Sequence, residues 1–117
     1  YGISDRDQQE AGHLLTELEL RGKIRLGEGE FDTLDLSSGQ RKRLALLVAL
    51  LERRPILLLD EWTSNQDPEF RGKFYRDLLP VLRKSGLTIV LVTHDDRYLD
   101  ELGPAVRRLQ MDEGRFV

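Results

Sequence analysis

Two short apolar runs, Ile56-Leu57-Leu58-Leu59 and Thr88-Ile89-Val90-Leu91-Val92, constrain the fold of this 117-residue chain more than any other feature. Both are unbroken and too short for a buried helix, and the second is β-branched. They predict two strands covered on both faces. Between them, Asp67-Pro68-Glu69 has the make-up of a helix start, with aspartate at the N-cap, proline at the first helical position and an acid in the first turn. Phe70, Phe74 and Leu78 supply an apolar stripe, Pro80 predicts a kink or restart, and Lys84-Ser85-Gly86 marks the end. Strand, helix and strand then make one parallel crossover unit, which places the chain in the α/β class.

In open parallel sheets, ligands sit beyond the carboxyl ends of the strands. There the chain puts Asp60-Glu61 after the first run and Thr93-His94 after the second. Adjacent residues at a strand end point in different directions, so the two acids need not serve one atom. A hard cation such as Mg2+ binds through one or two carboxylates plus phosphate oxygens and water, which suits Asp60. Glu61 is then free to orient or deprotonate an attacking water. The plain alternative is a pair of surface carboxylates capping the next segment. His94 can hydrogen-bond a phosphate oxygen or hold a water, although a lone histidine is more often a packed or surface side chain. His13, the other histidine, falls on an exposed part of the first helix.

Upstream lies Leu36-Ser37-Ser38-Gly39-Gln40. Ser37 and Gln40 have the spacing of a capping box, in which each side chain satisfies a backbone N–H. Gly39 lets a ligand approach the backbone, and the helix dipole favours an anion there, so phosphate is a natural guest. On these five residues alone, a simple serine cap explains the pattern equally well. The helix predicted from Gln40 to Arg53 buries Leu44, Leu47, Val48 and Leu51, and Pro55 stops it. Arg41, Lys42 and Arg43 read as a solvated face.

Taken together, four motifs in order resemble those of ATP-binding-cassette (ABC) ATPases. Leu36 to Gln40 resembles their signature, Ile56 to Glu61 their Walker B strand with its glutamate, Ser64-Asn65-Gln66-Asp67 their D-loop, and His94 their switch histidine. The resemblance covers roughly the last two thirds of the chain. It implies part of a P-loop NTPase-like ABC ATPase domain: residues 1–54 as the remainder of a helical subdomain with the signature loop and helix, and residues 55–117 as the C-terminal part of the ATPase core. It further implies that Ser37, Ser38, Gly39 and Gln40 meet the γ-phosphate of an ATP bound mainly by the opposite subunit. Asp60 holds Mg2+ through water, Glu61 acts on the attacking water, His94 contacts the γ-phosphate, and Asp67 communicates across the dimer. The implied partners are a second nucleotide-binding domain, head to tail, and a transmembrane domain N-terminal in the same parent chain. The implied location is the cytoplasmic face of the bacterial inner membrane. The wording Asp60-Glu61-Trp62, Gln66-Asp67-Pro68-Glu69-Phe70 and His94-Asp95-Asp96-Arg97-Tyr98 is most similar to exporters of cyclic peptides and siderophores. Two features depart from the family pattern: Ser38 replaces the usual glycine, and Trp62 with Asn65-Gln66 replaces the small residues usual around the D-loop.

A phosphate-wrapping loop needs G-x-x-x-x-G-K-[ST], and neither Gly22-Lys23 nor Gly72-Lys73 sits in one. Glu17 and Asp67 stand where the first glycine belongs, and Ile24 and Phe74 follow the lysines. The glutamine loop and adenine-stacking aromatic of the family also find no match. The expectation is therefore a piece of a longer polypeptide that, alone, neither binds ATP tightly nor hydrolyses it. In the first 35 residues, Ala11, Leu14, Leu15 and Leu18 predict an amphipathic helix ended by Gly22, and residues 27–30 predict a polar turn. Residues 105–111, the turn Asp112-Glu113-Gly114 and Arg115-Phe116-Val117 predict a closing hairpin.

Composition sets outer bounds. A net charge of −3 offers no electrostatic case for nucleic acid, and no cysteine is present for disulfide or thiolate chemistry. No apolar run approaches the roughly 20 residues of a spanning helix. Two other readings stand beside transport: the cassette of a DNA-repair or chromosome ATPase, disfavoured by the lack of heptads and of a basic groove, and a non-catalytic module lending its signature loop to a partner's site.

Overall fold

The computed structural model describes residues 5–22, 24–26, 31–33 and 36–117. The elements are α1 (Asp5–Glu17), β1 (Ile24–Leu26), β2 (Phe31–Thr33), α2 (Ser38–Leu51), β3 (Ile56–Asp60), α3 (Pro68–Lys73), α4 (Leu79–Lys84), β4 (Thr88–Val92), α5 (Asp96–Leu102), β5 (Met111–Asp112) and β6 (Arg115–Phe116). A 3-10 turn, Trp62–Asn65, follows β3, and a π turn, Phe74–Leu78, joins α3 to α4. The architecture is α/β, with β3 and β4 paired in parallel from Ile56↔Thr88 to Asp60↔Val92. The connection between them is the expected helical crossover.

The strands are covered on one face, not two. Leu57 and Leu59 are buried, whereas Ile56 and Leu58 are 63% and 65% exposed, and Val90 and Val92 are 48% and 46% exposed. The cause is layering: the helices pack on the face carrying Leu57 and Leu59, and nothing among the described residues covers the other. The unbroken apolar run is the mark of a strand built for two covered faces, and only one is covered here.

The core joins α1, α2, β3 and the crossover helix through Ala11, Leu15, Leu47, Leu51, Leu57, Leu59, Phe70, Phe74 and Leu79. In α2, Leu47 and Leu51 are fully covered and Leu44 and Val48 partly so, as the helical spacing predicts. The first helix ends at Glu17, before Gly22: Leu20 N–H bonds back to the Leu15 carbonyl, and Glu19 takes a left-handed φ of 56°. The break predicted at Pro80 is a π turn, in which the Leu79 N–H reaches back to the Phe74 carbonyl. Widening by one residue relieves the clash of a proline ring with the preceding turn, so the chain stays helical through Lys84. β1 and β2 form an antiparallel ladder not foreseen in the sequence, and the turn expected at residues 27–30 lies outside the described residues. The closing hairpin is shorter than expected, with Asp112 inside β5 and only Glu113 and Gly114, both at positive φ, forming the two-residue turn. No helix among the described residues is long and apolar enough to cross a membrane.

Candidate functional site

Parallel pairing carries the two strand ends to one place. Asp60 lies opposite Val92, and the Glu61 N–H continues the ladder by donating to the Val92 carbonyl at 2.8 Å. As a result His94 Nε2 sits 2.9 Å from Glu61 Oε1. Both side chains face solvent, His94 at 90% and Glu61 at 50% exposure. Asp60 is also exposed, at the end of β3.

Glu61 occupies the left-handed region, at φ 48° and ψ 38°, which a side chain with a Cβ adopts at a cost. Its neighbours hold it there. Lys42 Nζ and Ser64 Oγ donate to the Glu61 carbonyl at 3.0 and 2.7 Å, and Trp62 Nε1 donates to the Lys42 carbonyl at 3.0 Å. Lys42 therefore tethers the carboxylate-bearing segment. With Arg43, which is 9% exposed, it shows that the basic trio is not one solvated face; Arg41 alone fits that description.

The predicted capping box is present. The Gln40 N–H donates to Ser37 Oγ at 3.2 Å, and the Ser37 N–H donates to Gln40 Oε1 at 2.9 Å. These bonds use the box for the helix itself, and the uncapped first-turn N–H groups remain to meet an anion. Gly39 has a different reason to be glycine than ligand approach: it is buried, and a Cβ there would lie 2.6 Å from the Asn65 carbonyl oxygen. The start of α2 is packed directly on the 62–66 turn.

That contact is sealed by side chains. Gln66, 4% exposed, donates from Nε2 to the Gly39 carbonyl at 3.1 Å and accepts from Arg43 Nε at 2.7 Å. The Arg43 guanidinium lies over the Phe70 ring, 4.1 Å from its centroid, and 3.8 Å from Asp67 Oδ2. Asp67 caps α3 as predicted, accepting from the Phe70 N–H at 2.9 Å. Asn65 Nδ2 reaches Ser38 Oγ at 3.4 Å. The unusual residues of this segment thus have structural work: Gln66 bridges to α2, and Trp62 fills the core against Phe70 and Phe74.

Sequence reasoning missed Asp95. Its Oδ2 accepts from Thr63 Oγ1 at 2.5 Å, Tyr75 OH at 2.8 Å and Thr93 Oγ1 at 3.0 Å, while Arg71 Nη1 lies 3.9 Å from Oδ1. Burial pushes the Asp95 carboxyl up, but these hydrogen bonds and the Arg71 charge outweigh it, leaving it below the usual carboxylate range. Tyr75 is pushed up to about 12, chiefly by burial. The signal available was slight: Asp95 lies beside a strand end, but its three hydroxyl partners come from separate segments.

A magnesium ion fits the donor chemistry only in a limited way. No group of three acidic, histidine or cysteine side chains among the described residues converges on one point. A single exposed carboxylate such as Asp60 suits an ion whose remaining ligands are phosphate oxygens and water.

A family model described as "AAA domain, putative AbiEii toxin, Type IV TA system" matches residues 3–100. The chain is 53% identical over 85 residues to the ATP-binding protein SyrD of Pseudomonas syringae pv. syringae, covering 72% of this chain and 15% of that protein. It is 33% identical over 116 residues to the lipoprotein-releasing system ATP-binding protein LolD 1 of Caulobacter vibrioides, covering 99% of this chain and 46% of that one. With the methionine import ATP-binding protein MetN of Carboxydothermus hydrogenoformans it shares 38% over 100 residues, 86% of this chain and 28% of that protein. Among solved structures it resembles the dimeric structure of MJ0796, a bacterial ABC transporter cassette, with a TM-score of 0.61 and 28% identity over 84% of this chain and 41% of that one. The chain thus spans less than half the length of each of these proteins.

Proposed function

Because the chain belongs to the ATP-binding-cassette family of ATPases, we propose that it supplies the signature-bearing and glutamate-bearing part of a nucleotide-binding domain whose full-length parent hydrolyses ATP to drive transport. The observation that carries this reading is the 2.9 Å contact between His94 and Glu61 at the joined ends of β3 and β4. His94 Nε2 lies against one Glu61 oxygen, which leaves the other to take a proton from, or orient, an attacking water. The start of α2, from Ser37 to Gln40, faces the γ-phosphate of a nucleotide held mainly by a partner domain in a head-to-tail dimer, with the uncapped N–H groups of Ser38 and Gly39 left to meet it. Asp60 would hold Mg2+, His94 meets the γ-phosphate, and Asp67 works across the dimer. Mg2+ supplies charge neutralisation on the phosphates when bound.

For the direction of transport, the motif wording favours export of a peptide-like or siderophore substrate through a transmembrane domain of the same parent, at the cytoplasmic face of the inner membrane. Relatives named for methionine import and lipoprotein release show that the ATPase sequence serves more than one kind of transport. Export is therefore tested on the parent, by ATP-dependent accumulation in inverted membrane vesicles.

The ATPase assignment is tested by Glu61→Gln in the full-length parent. We expect ATP to bind and turnover to fall by about 100-fold or more. Full turnover in that variant would refute the role of Glu61. The 117-residue chain by itself, which contains no P-loop sequence, is expected to show no Mg2+-dependent ATPase; activity that Glu61→Gln abolishes would overturn this.

A further inference from the structure

We propose that Asp95 is a positioning residue for the Glu61–His94 pair, its carboxylate tying the exits of β3 and β4 together through the hydroxyls of Thr63, Tyr75 and Thr93. The inference rests on the ATPase reading above.

The His94 ring is 90% exposed, so packing cannot orient it, and its direction follows from the backbone on either side. Both flanking residues turn inward and are anchored. Thr93 Oγ1 accepts from the Asp95 N–H at 3.0 Å and lies 2.9 Å from Tyr75 OH, while the Asp95 carboxylate is 18% exposed and bonded as described above. In, out, in along residues 93–95 leaves the imidazole pointing at Glu61.

Glu61 has the same dependence from the other side. Its left-handed backbone is followed two residues later by Thr63, which is 2% exposed and donates to Asp95 Oδ2 at 2.5 Å. One oxygen atom of Asp95 thus receives a hydroxyl from the β3 exit and another from the β4 exit. The third comes from Tyr75, in the π turn of the crossover helix, and insertions of this kind redirect side chains that a regular helix would place elsewhere. A carboxylate suits this position because it is acceptor-only and can take several hydroxyl protons at once. Displacing either exit by a fraction of an ångström moves Glu61 against His94, and rates depend steeply on such distances.

The test is steady-state ATPase of the full-length parent, with kcat expressed per titrated nucleotide-binding site so that misfolded protein does not count. For Asp95→Asn and for Thr63→Val we expect kcat to fall about tenfold or more, with the KM for ATP within about twofold of the parent. Thr63→Ser, which keeps the hydroxyl, should recover most of the rate that Thr63→Val loses. Unchanged kcat in Asp95→Asn and Thr63→Val would overturn the proposal, as would a Thr63→Ser variant no better than Thr63→Val. Glu61→Gln in the same assay separates the two layers. If it turns over normally, the ATPase reading itself fails; if it is dead while Asp95→Asn is fully active, only the positioning role fails.

Discussion

Gly39 illustrates how a residue's identity can be readable while its reason is not. A glycine after two serines at a helix start suggests room for a phosphate, but the side of Gly39 that a Cβ would occupy already faces the Asn65 carbonyl at 2.6 Å. The clash is with backbone and cannot be relieved by a rotamer change. Gly39→Ala should therefore destabilise the fold by about 1–3 kcal/mol. Ser37→Ala removes one cap and should cost about 1 kcal/mol. Trp62, the single tryptophan and buried, reports both by fluorescence during denaturant unfolding. A Gly39→Ala midpoint equal to wild type would mean that the 62–66 turn moves aside freely. Gln66 makes the complementary point: its side chain satisfies the Gly39 carbonyl and Arg43 together, which no pattern within a single helix or strand announces.

Among the elements, the crossover helix departs most from a regular pattern. Phe70, Phe74 and Leu78 were legible as its stripe, and Pro80 as an interruption; that the interruption is a π turn, with Tyr75 directed at Asp95, goes with the contacts Tyr75 makes to Thr93, Asp95 and Tyr98. Tyr75 stacks on Tyr98 at 4.7 Å and keeps its hydroxyl on Asp95, and burial holds its pKa at about 12. The sign of the linkage follows. An acid with a raised folded-state pKa stabilises fully below its unfolded value, near 10, and loses that contribution as pH rises through the folded value. The stability advantage of the natural protein over Tyr75→Phe should thus be constant below pH 10 and shrink between 10 and about 12. Urea unfolding of both proteins across that range measures it. A gap independent of pH would show that the hydroxyl is not held neutral by the fold.

For the whole molecule, the consequential feature is the face of the β3–β4 sheet that nothing among the described residues covers. Ile56 and Leu58, each more than 60% exposed, stand beside Val90 and Val92 on the same sheet. A contiguous apolar patch on a sheet of two strands, with no further strand paired to it among the described residues, favours association. The 117-residue chain is expected to self-associate with rising concentration, and Leu58→Lys with Val90→Lys should shift it toward monomer in sedimentation velocity. Association unchanged in the double variant would place the contact elsewhere.

The sequence by itself determined the central elements: two strands from unbroken apolar runs, the capped start of α2 from Ser37 and Gln40, the start of α3 from Asp67 and Pro68, and the delivery of Glu61 and His94 to one edge. These depend on periodicity, capping and turn chemistry, which act over a few neighbouring residues. Tertiary structure alone decided that Arg43 is buried, that Gly39 yields to Asn65, that Ile56, Leu58, Val90 and Val92 stay exposed, and that Asp95 gathers hydroxyls from three segments. Thr63 and Asp95 are 32 residues apart in the chain and 2.5 Å apart in space. Such distances follow from how a helix seats on a sheet, set by the summed packing of many side chains and carried by no local pattern.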